Sequence, residues 1–173
     1  MKNRQVSIIA AIIALVVFAG CATMQSKPER AKNFTVPILQ GGEVSLSDYA
    51  GKPLILIFGA TWCSHCLHEM PILKKACERG KGGVQYLPVF VKSKRADAIA
   101  LVEKSGMTCK IGWDPKGKVA DMYGVTGMPE TLFINAKGEI IDDYFGTMEP
   151  SDINHGIKEL LKSDKAEAGN KGK

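Results

Sequence analysis

Trp62-Cys63-Ser64-His65-Cys66 sits between an apolar run, Pro53-Leu54-Ile55-Leu56-Ile57-Phe58-Gly59-Ala60, and a segment of helical pattern from Leu67 to Arg79. Five unbroken apolar residues, Leu54 to Phe58, predict a strand buried on both faces. Beyond the cysteines, Leu67, Met70, Leu73 and Cys77 recur at three and four residues. That spacing predicts a helix from about Ser64 to Arg79, with Pro71 inside it. Two cysteines two residues apart at such a junction can close a tight disulfide, bind metal or anchor haem. Haem attachment needs His directly after the second cysteine, and that position is Leu67. A structural zinc site needs two further ligands at short spacing. Cys77 and Cys109 do not form a second such pair, so no metal is assigned, although His65 and His68 leave a copper- or zinc-binding redox chaperone open.

Redox chemistry suits the setting and calls for no cofactor. A cysteine at a helix start faces unpaired backbone N–H groups and the positive end of the helix dipole. Both favour the thiolate, the attacking species in disulfide exchange. Cys63 is therefore the expected nucleophile and Cys66, one turn further in, the expected resolving thiol. An interaction module that keeps the two cysteines as a static disulfide is the alternative outside enzymology.

Outward from this junction, strands alternate with helices. Phe34–Leu39 and Val44–Leu46 read as a hairpin about Gln40–Glu43, followed by a loop, Ser47–Lys52. After the Ser64–Arg79 helix come a strand, Val84–Val91, and a helix, Lys94–Ser105, with Ala98, Ile99, Leu101 and Val102 inward. A short strand, Thr108–Trp113, and a short helix, Lys118–Tyr123, precede a strand at Glu130–Ile134. Asn135–Gly138 turns the chain into a hairpin strand, Glu139–Phe145, and a last helix runs from Glu149 or Ser151 to about Leu161. The order predicts an α/β domain with a central mixed sheet flanked by helices and an extra N-terminal β-hairpin.

The 173 residues suffice for one such domain. The formal charge of +5 is spread along the chain, and no basic stripe interleaves with aromatics, so nucleic acid is not an expected partner. Five cysteines leave one over. Met1 to Arg4 is a short positive region, and Val6 to Ala19 is apolar over 14 residues, shorter than the roughly 20 needed to span a bilayer. This segment suits a signal peptide and ends in Phe18-Ala19-Gly20-Cys21, which resembles the lipobox of bacterial lipoproteins. The resemblance implies that residues 1–20 are removed and that acylated Cys21 holds the chain to a lipid bilayer. A plain secretory peptide or an uncleaved signal anchor also places the domain outside the cytoplasm, where disulfides persist. Residues 21–32 read as a polar tether, 33–162 as the domain and 163–173 as a flexible tail. Cys77 and Cys109 are then either a second, structural disulfide or two buried free thiols.

Further residues carry a family resemblance. Phe58-Gly59-Ala60-Thr61-Trp62-Cys63-x-x-Cys66 resembles the active site of the thioredoxin fold, and Gly127-Met128-Pro129-Glu130-Thr131-Leu132-Phe133-Ile134 resembles its cis-proline loop and following strand. Cys66-Leu67-His68-Glu69-Met70-Pro71 and Gly146-Thr147-Met148 resemble, more narrowly, the membrane-anchored TlpA/ResA-like thiol-disulfide oxidoreductases. The resemblance covers Phe34 to Leu161. It implies a reductase of disulfides in exported proteins, often in cytochrome c maturation with apocytochrome c as recipient, supplied by a membrane thiol donor of DsbD/CcdA type. It implies localisation in the bacterial cell envelope, the domain facing the periplasm or the cell exterior. It also implies that Pro129 is cis, that Met128 offers its backbone to an extended substrate, and that Trp62 shields the disulfide. Glu69, three residues past Cys66, becomes the expected acceptor of the Cys66 proton. Ser64 and His65, between the cysteines, are the expected tuning residues. His65 stands where Pro is usual in this branch, as in DsbA-like oxidases, which leaves the direction of electron flow open.

Overall fold

The computed structural model describes residues 28–79 and 83–168. The expected signal peptide, the lipidation residue Cys21 and most of the expected tether lie outside the described residues. No helix among the described residues is long and apolar enough to cross a membrane.

A hairpin of β1 (Thr35–Pro37) and β2 (Glu43–Ser45) comes first, in the antiparallel pairing expected of it. The main sheet is built from β3 (Leu54–Gly59), β4 (Gln85–Val91), β5 (Gly112–Asp114), β6 (Glu130–Ile134) and β7 (Ile140–Phe145), in the spatial order β5-β4-β3-β6-β7. β3 pairs parallel with β4 and antiparallel with β6, so the sheet is mixed as the alternation predicted. Among the described residues four α-helices complete the fold: α1 (Ser64–Arg79), α2 (Arg95–Ser105), α3 (Lys118–Met122) and α4 (Pro150–Ala168).

The apolar run of β3 is buried at every position. Its alternate side chains feed two cores. Ile55 and Ile57 join Met70 and Leu73 of α1, Ala98 and Val102 of α2 and Leu160 of α4. Leu54, Leu56 and Phe58 join Val36 and Val44 of the hairpin and Val119 of α3. Each such side chain contributes roughly 1.5–3 kcal/mol on burial, so the end of β3 is a rigid platform for the cysteine turn beyond it.

Four sequence expectations are corrected. The tether was expected to extend to Lys32, but Ala31 N donates to Gly138 O at 2.8 Å, Ile140 N donates to Glu29 O at 2.8 Å, and Arg30 bridges Glu139. These backbone pairs leave no side-chain pattern, yet they add residues 29–31 to the domain, and the Tyr123 hydroxyl, donating to Lys32 O at 2.6 Å, adds Lys32. The tail was expected to loosen from residue 163, but α4 runs to Ala168 because Asp164 Oδ1 accepts the Ala136 N–H at 3.0 Å and ties the helix to the β6–β7 turn. The strand expected at Thr108–Trp113 is confined to Gly112–Asp114. The residues before it serve the hairpin instead: Leu39 N donates to Ile111 O at 2.9 Å, and the Gln40 side chain bonds both Cys109 O and Ile111 N. The loop expected at Ser47–Lys52 begins as a 3-10 turn, Leu46–Tyr49, whose Asp48 Oδ2 accepts the Ser45 N–H at 2.9 Å.

Candidate functional site

The chain leaves β3 at Gly59 and enters α1 at Ser64, and the two cysteines straddle that entry. Cys63 and Cys66 are joined as a disulfide with Cα atoms 5.3 Å apart. Both are buried, 8% and 5% exposed, and pack with Ala60 and Met128. The Cys66 N–H points at Cys63 Sγ at 3.2 Å. In the disulfide this is a weak contact. In the reduced form the same N–H faces a thiolate, where a charge-assisted bond is about twice as strong as a neutral one. Ser64 and His65 lie exposed on the outer side of the first turn.

The loop before β6 meets the cysteines from the other side. Met128–Pro129 is a cis peptide, and Met128 O lies 3.5 Å from Cys63 Sγ. Pro129 is buried while Met128 is half-buried. Phe145, 65% exposed at the end of β7, lies over Gly127, where a Cβ would come within 2.6 Å of the ring. Any larger residue at 127 would displace that ring from beside the proline loop.

Trp62 is 63% exposed, so its indole does not belong to the core. Its Nε1–H donates to Lys92 O at 3.1 Å, fixing the ring at the rim of the site. Sequence reasoning missed the support for this rim. Lys92 has φ 47°, the one left-handed non-glycine residue among the described residues. Buried Ser93 accepts the Thr61 N–H at 3.0 Å and donates to Val91 O at 3.1 Å. Ser93 O in turn accepts the Trp113 Nε1–H at 2.9 Å. The end of β4 thereby braces the residues just before Cys63. Only the short polar pair after an apolar strand could have signalled this.

Glu69 lies beneath the cysteines and is fully buried. Its Oε1 accepts the Met148 N–H at 3.0 Å, while Oε2 has no hydrogen-bond partner among the described residues. Burial drives its pKa up to about 7, against the lowering effect of the Met148 bond. Glu69, Cys66 and Pro129 line one internal space of about 10 Å³, room for one water at most. The site thus places two disulfide-bonded sulfurs above a buried carboxyl whose pKa is pushed up to about 7. Glu130, next to Pro129, is also pushed up, by burial and then by Asp143.

Cys77 and Cys109 are not brought to this site. They form a second disulfide, Cα atoms 5.6 Å apart, between the last turn of α1 and the segment leading to β5. His68 and His155 are exposed, and among the described residues no three His, Cys, Asp or Glu side chains are grouped to hold a metal ion.

Comparison with known proteins gives a consistent result. The family model described as AhpC/TSA family matches residues 28–142. The thiol-disulfide oxidoreductase ResA of Geobacillus kaustophilus (strain HTA426) is 30% identical over 172 residues, covering 92% of this chain and 99% of its own. A Chlorobium tepidum protein described as a DsbE-type thiol:disulfide interchange protein has a structure with TM-score 0.71 and 27% identity, covering 79% of this chain and 98% of that one. The pneumococcal exposed lipoprotein thioredoxin of Streptococcus pneumoniae strain TIGR4 has TM-score 0.68 and 29% identity, covering 75% of this chain and all of its own (100%).

Proposed function

The chain belongs to the AhpC/TSA family of the thioredoxin superfamily and is a thiol-disulfide oxidoreductase of ResA/DsbE type, and from that premise we propose that Cys63 and Cys66 exchange disulfides with exported proteins. The observation that carries this is the placement of Cys63 Sγ at the α1 entry, between the Cys66 N–H at 3.2 Å and Met128 O at 3.5 Å.

In the reducing direction the Cys63 thiolate attacks one sulfur of a substrate disulfide. The substrate S–S bond breaks, one substrate sulfur leaves as a thiolate, and a mixed disulfide forms on Cys63. Cys66 then loses its proton to Glu69, directly or through one water, and attacks Cys63 Sγ. The second substrate thiolate leaves, and the Cys63–Cys66 bond carries the two electrons' worth of oxidation. Glu69 suits this role because a carboxylate with pKa about 7 holds and releases a proton at working pH. Met128 offers its carbonyl to an extended substrate segment in the manner of an added strand, with Pro129 behind it and Trp62 as the rim. Ser64 and His65 face the solvent that the substrate enters from, and tune the exchange from there.

The same reading puts the domain outside the cytoplasm, in the cell envelope. Residues 1–20 act as a lipoprotein signal peptide and acylated Cys21 holds the mature chain to the bilayer. The lipobox-like Phe18-Ala19-Gly20-Cys21 and the lipoprotein name of the pneumococcal relative support this. Substrates are disulfide-containing exported proteins, with apocytochrome c one candidate. Electrons come from a membrane thiol donor of DsbD/CcdA type. Turnover of a disulfide substrate with an external dithiol tests the site: wild type cycles, and Cys63→Ser and Cys66→Ser do not. The reduction potential tests the direction. A value near −270 mV marks a reductase, whereas one near −120 mV marks a disulfide donor.

A further inference from the structure

The second disulfide lies open where the first is closed. Cys77 and Cys109 are each half-buried and together line a cleft of about 350 Å³, with Lys52 and Lys110 at its margin. Neither lysine ammonium has an ion-pair or hydrogen-bond partner among the described residues. Asp48 also lines the cleft, but its carboxylate already accepts the Ser45 N–H at 2.9 Å. The cleft therefore offers two uncommitted cations and one committed anion beside an S–S bond.

The two ends of this bond are anchored independently of it. Cys77 rides on α1, which is held by Met70 and Leu73 in the core. The Cys109 segment is clamped by Gln40, whose amide donates to Cys109 O at 3.0 Å and whose carbonyl accepts the Ile111 N–H at 3.3 Å. Both segments thus have anchors besides the bond. The site also stands apart from the first: fourteen helical positions separate Cys63 from Cys77, roughly 20 Å along the axis. The two disulfides of one molecule cannot exchange directly.

We propose that Cys77–Cys109 is a second thiol-exchange site, which takes a small anionic thiol through this cleft. The two sulfurs are unequal. Cys77 lies in the last described turn of α1, where the negative end of the helix dipole disfavours a thiolate. Cys109 is followed by Lys110 and lies in no helix, so it is the better leaving group. The incoming thiolate attacks Cys77 Sγ, the Cys77–Cys109 bond breaks, and Cys109 departs as a thiolate. A mixed disulfide remains on Cys77. A second thiol of the same class attacks that mixed disulfide, releasing the oxidised thiol dimer and leaving Cys77 and Cys109 reduced. The two electrons come from the two small thiols.

This second site does not depend on the roles assigned to Cys63 and Cys66, and its test sets them aside. Full-length chain carrying Cys63→Ser and Cys66→Ser is treated in native buffer, quenched by alkylation and read by peptide-resolved mass spectrometry. Dithiothreitol should reduce the Cys77–Cys109 pair without denaturant. Glutathione, which is anionic, should give an adduct on Cys77. At equal thiolate concentration it should react about tenfold faster than cationic cysteamine, a gap that narrows in high salt as the lysine charges are screened. Protection of the pair in native buffer, under reductant that opens it in guanidinium, overturns the proposal. So does an adduct confined to Cys109, or equal rates for the two thiols. If the double variant does not fold, the wild-type chain gives the same readout, because each cysteine lies on a peptide that reports separately.

Discussion

One helix carries a disulfide at each end, and the two ends impose opposite chemistry. At the N-terminus of α1, Cys63–Cys66 is buried, faced by a backbone N–H, covered by the Met128–Pro129 loop and underlain by a buried carboxyl. At the C-terminus, Cys77–Cys109 is half-buried, borders a cleft with two lysines, and spans 32 positions of chain. The first pair closes almost no loop and adds little constraint, but on the role proposed above its surroundings serve proton and sulfur transfer. The second closes a long loop and borders an open cleft that Asp48, Lys52 and Lys110 also line. On the roles proposed above, position along a helix decides which thiols each pair meets: those of a protein segment at the covered N-terminal pair, and small anionic thiols at the open C-terminal one.

The two ends should part most widely in activity. Cys63→Ser and Cys66→Ser should each abolish turnover of a protein disulfide, whereas the Cys77→Ser/Cys109→Ser double variant should stay within a few-fold of wild type. Steady-state assays on the three proteins check this. A large loss in the Cys77/Cys109 variant would mean that the two ends of α1 are coupled.

Stability should reverse the ranking. Removing Cys77–Cys109 relaxes a loop of 32 residues, for which chain entropy gives about 3–4 kcal/mol. Removing Cys63–Cys66 relaxes a loop of three residues, for which the same relation gives about 1–2 kcal/mol. Urea unfolding at neutral pH compares them.

Glu69 sharpens the contrast through pH. Its folded pKa of about 7 lies above the ordinary 4.5, so the folded protein binds the Glu69 proton more tightly than the unfolded chain. The contribution of Glu69 is therefore most favourable below about pH 4.5 and is lost as pH rises through 7. Glu69→Gln should raise stability at pH 8 by on the order of 3 kcal/mol, change it little at pH 4, and slow Cys66 alkylation near pH 7. Stability gained with activity lost is the signature of a buried functional carboxyl. An unchanged stability–pH profile would show that Glu69 does not titrate as described.

Ser93→Ala should have the smallest effect. It removes the bond to the Thr61 N–H, costing about 1 kcal/mol, and should raise KM more than it lowers kcat by loosening the Trp62 rim. Equal falls in kcat and kcat/KM would place Ser93 in the chemistry instead.

Local pattern separates the features that the sequence disclosed from those that it did not. The β3 run, the helix over Ser64–Arg79 and the strand over Glu130–Ile134 are written in such pattern and were located closely. Spacing alone put Cys63, Cys66 and Glu69 near one turn of one helix, whereas the cis Met128–Pro129 loop beside them was expected only from the family resemblance. Ser93 was not, since its role depends on β4 ending beside Thr61. Residues 29–31 and the extension of α4 were missed because backbone pairing to the β6–β7 turn and one carboxylate, Asp164, hold them. Neither leaves an apolar period. The shortened β5 was missed because Gln40, distant in sequence, claims the backbone groups that a longer strand would have used.

Covalent trapping tests the central claim most directly. Reduced Cys66→Ser protein, mixed with a disulfide-containing polypeptide, keeps the nucleophile and lacks the resolving thiol. One mixed disulfide per chain should accumulate on Cys63, located by peptide mass spectrometry. No adduct on Cys63, or capture of the polypeptide at Cys77 or Cys109 instead, would contradict the assignment of the exchange centre to the N-terminus of α1.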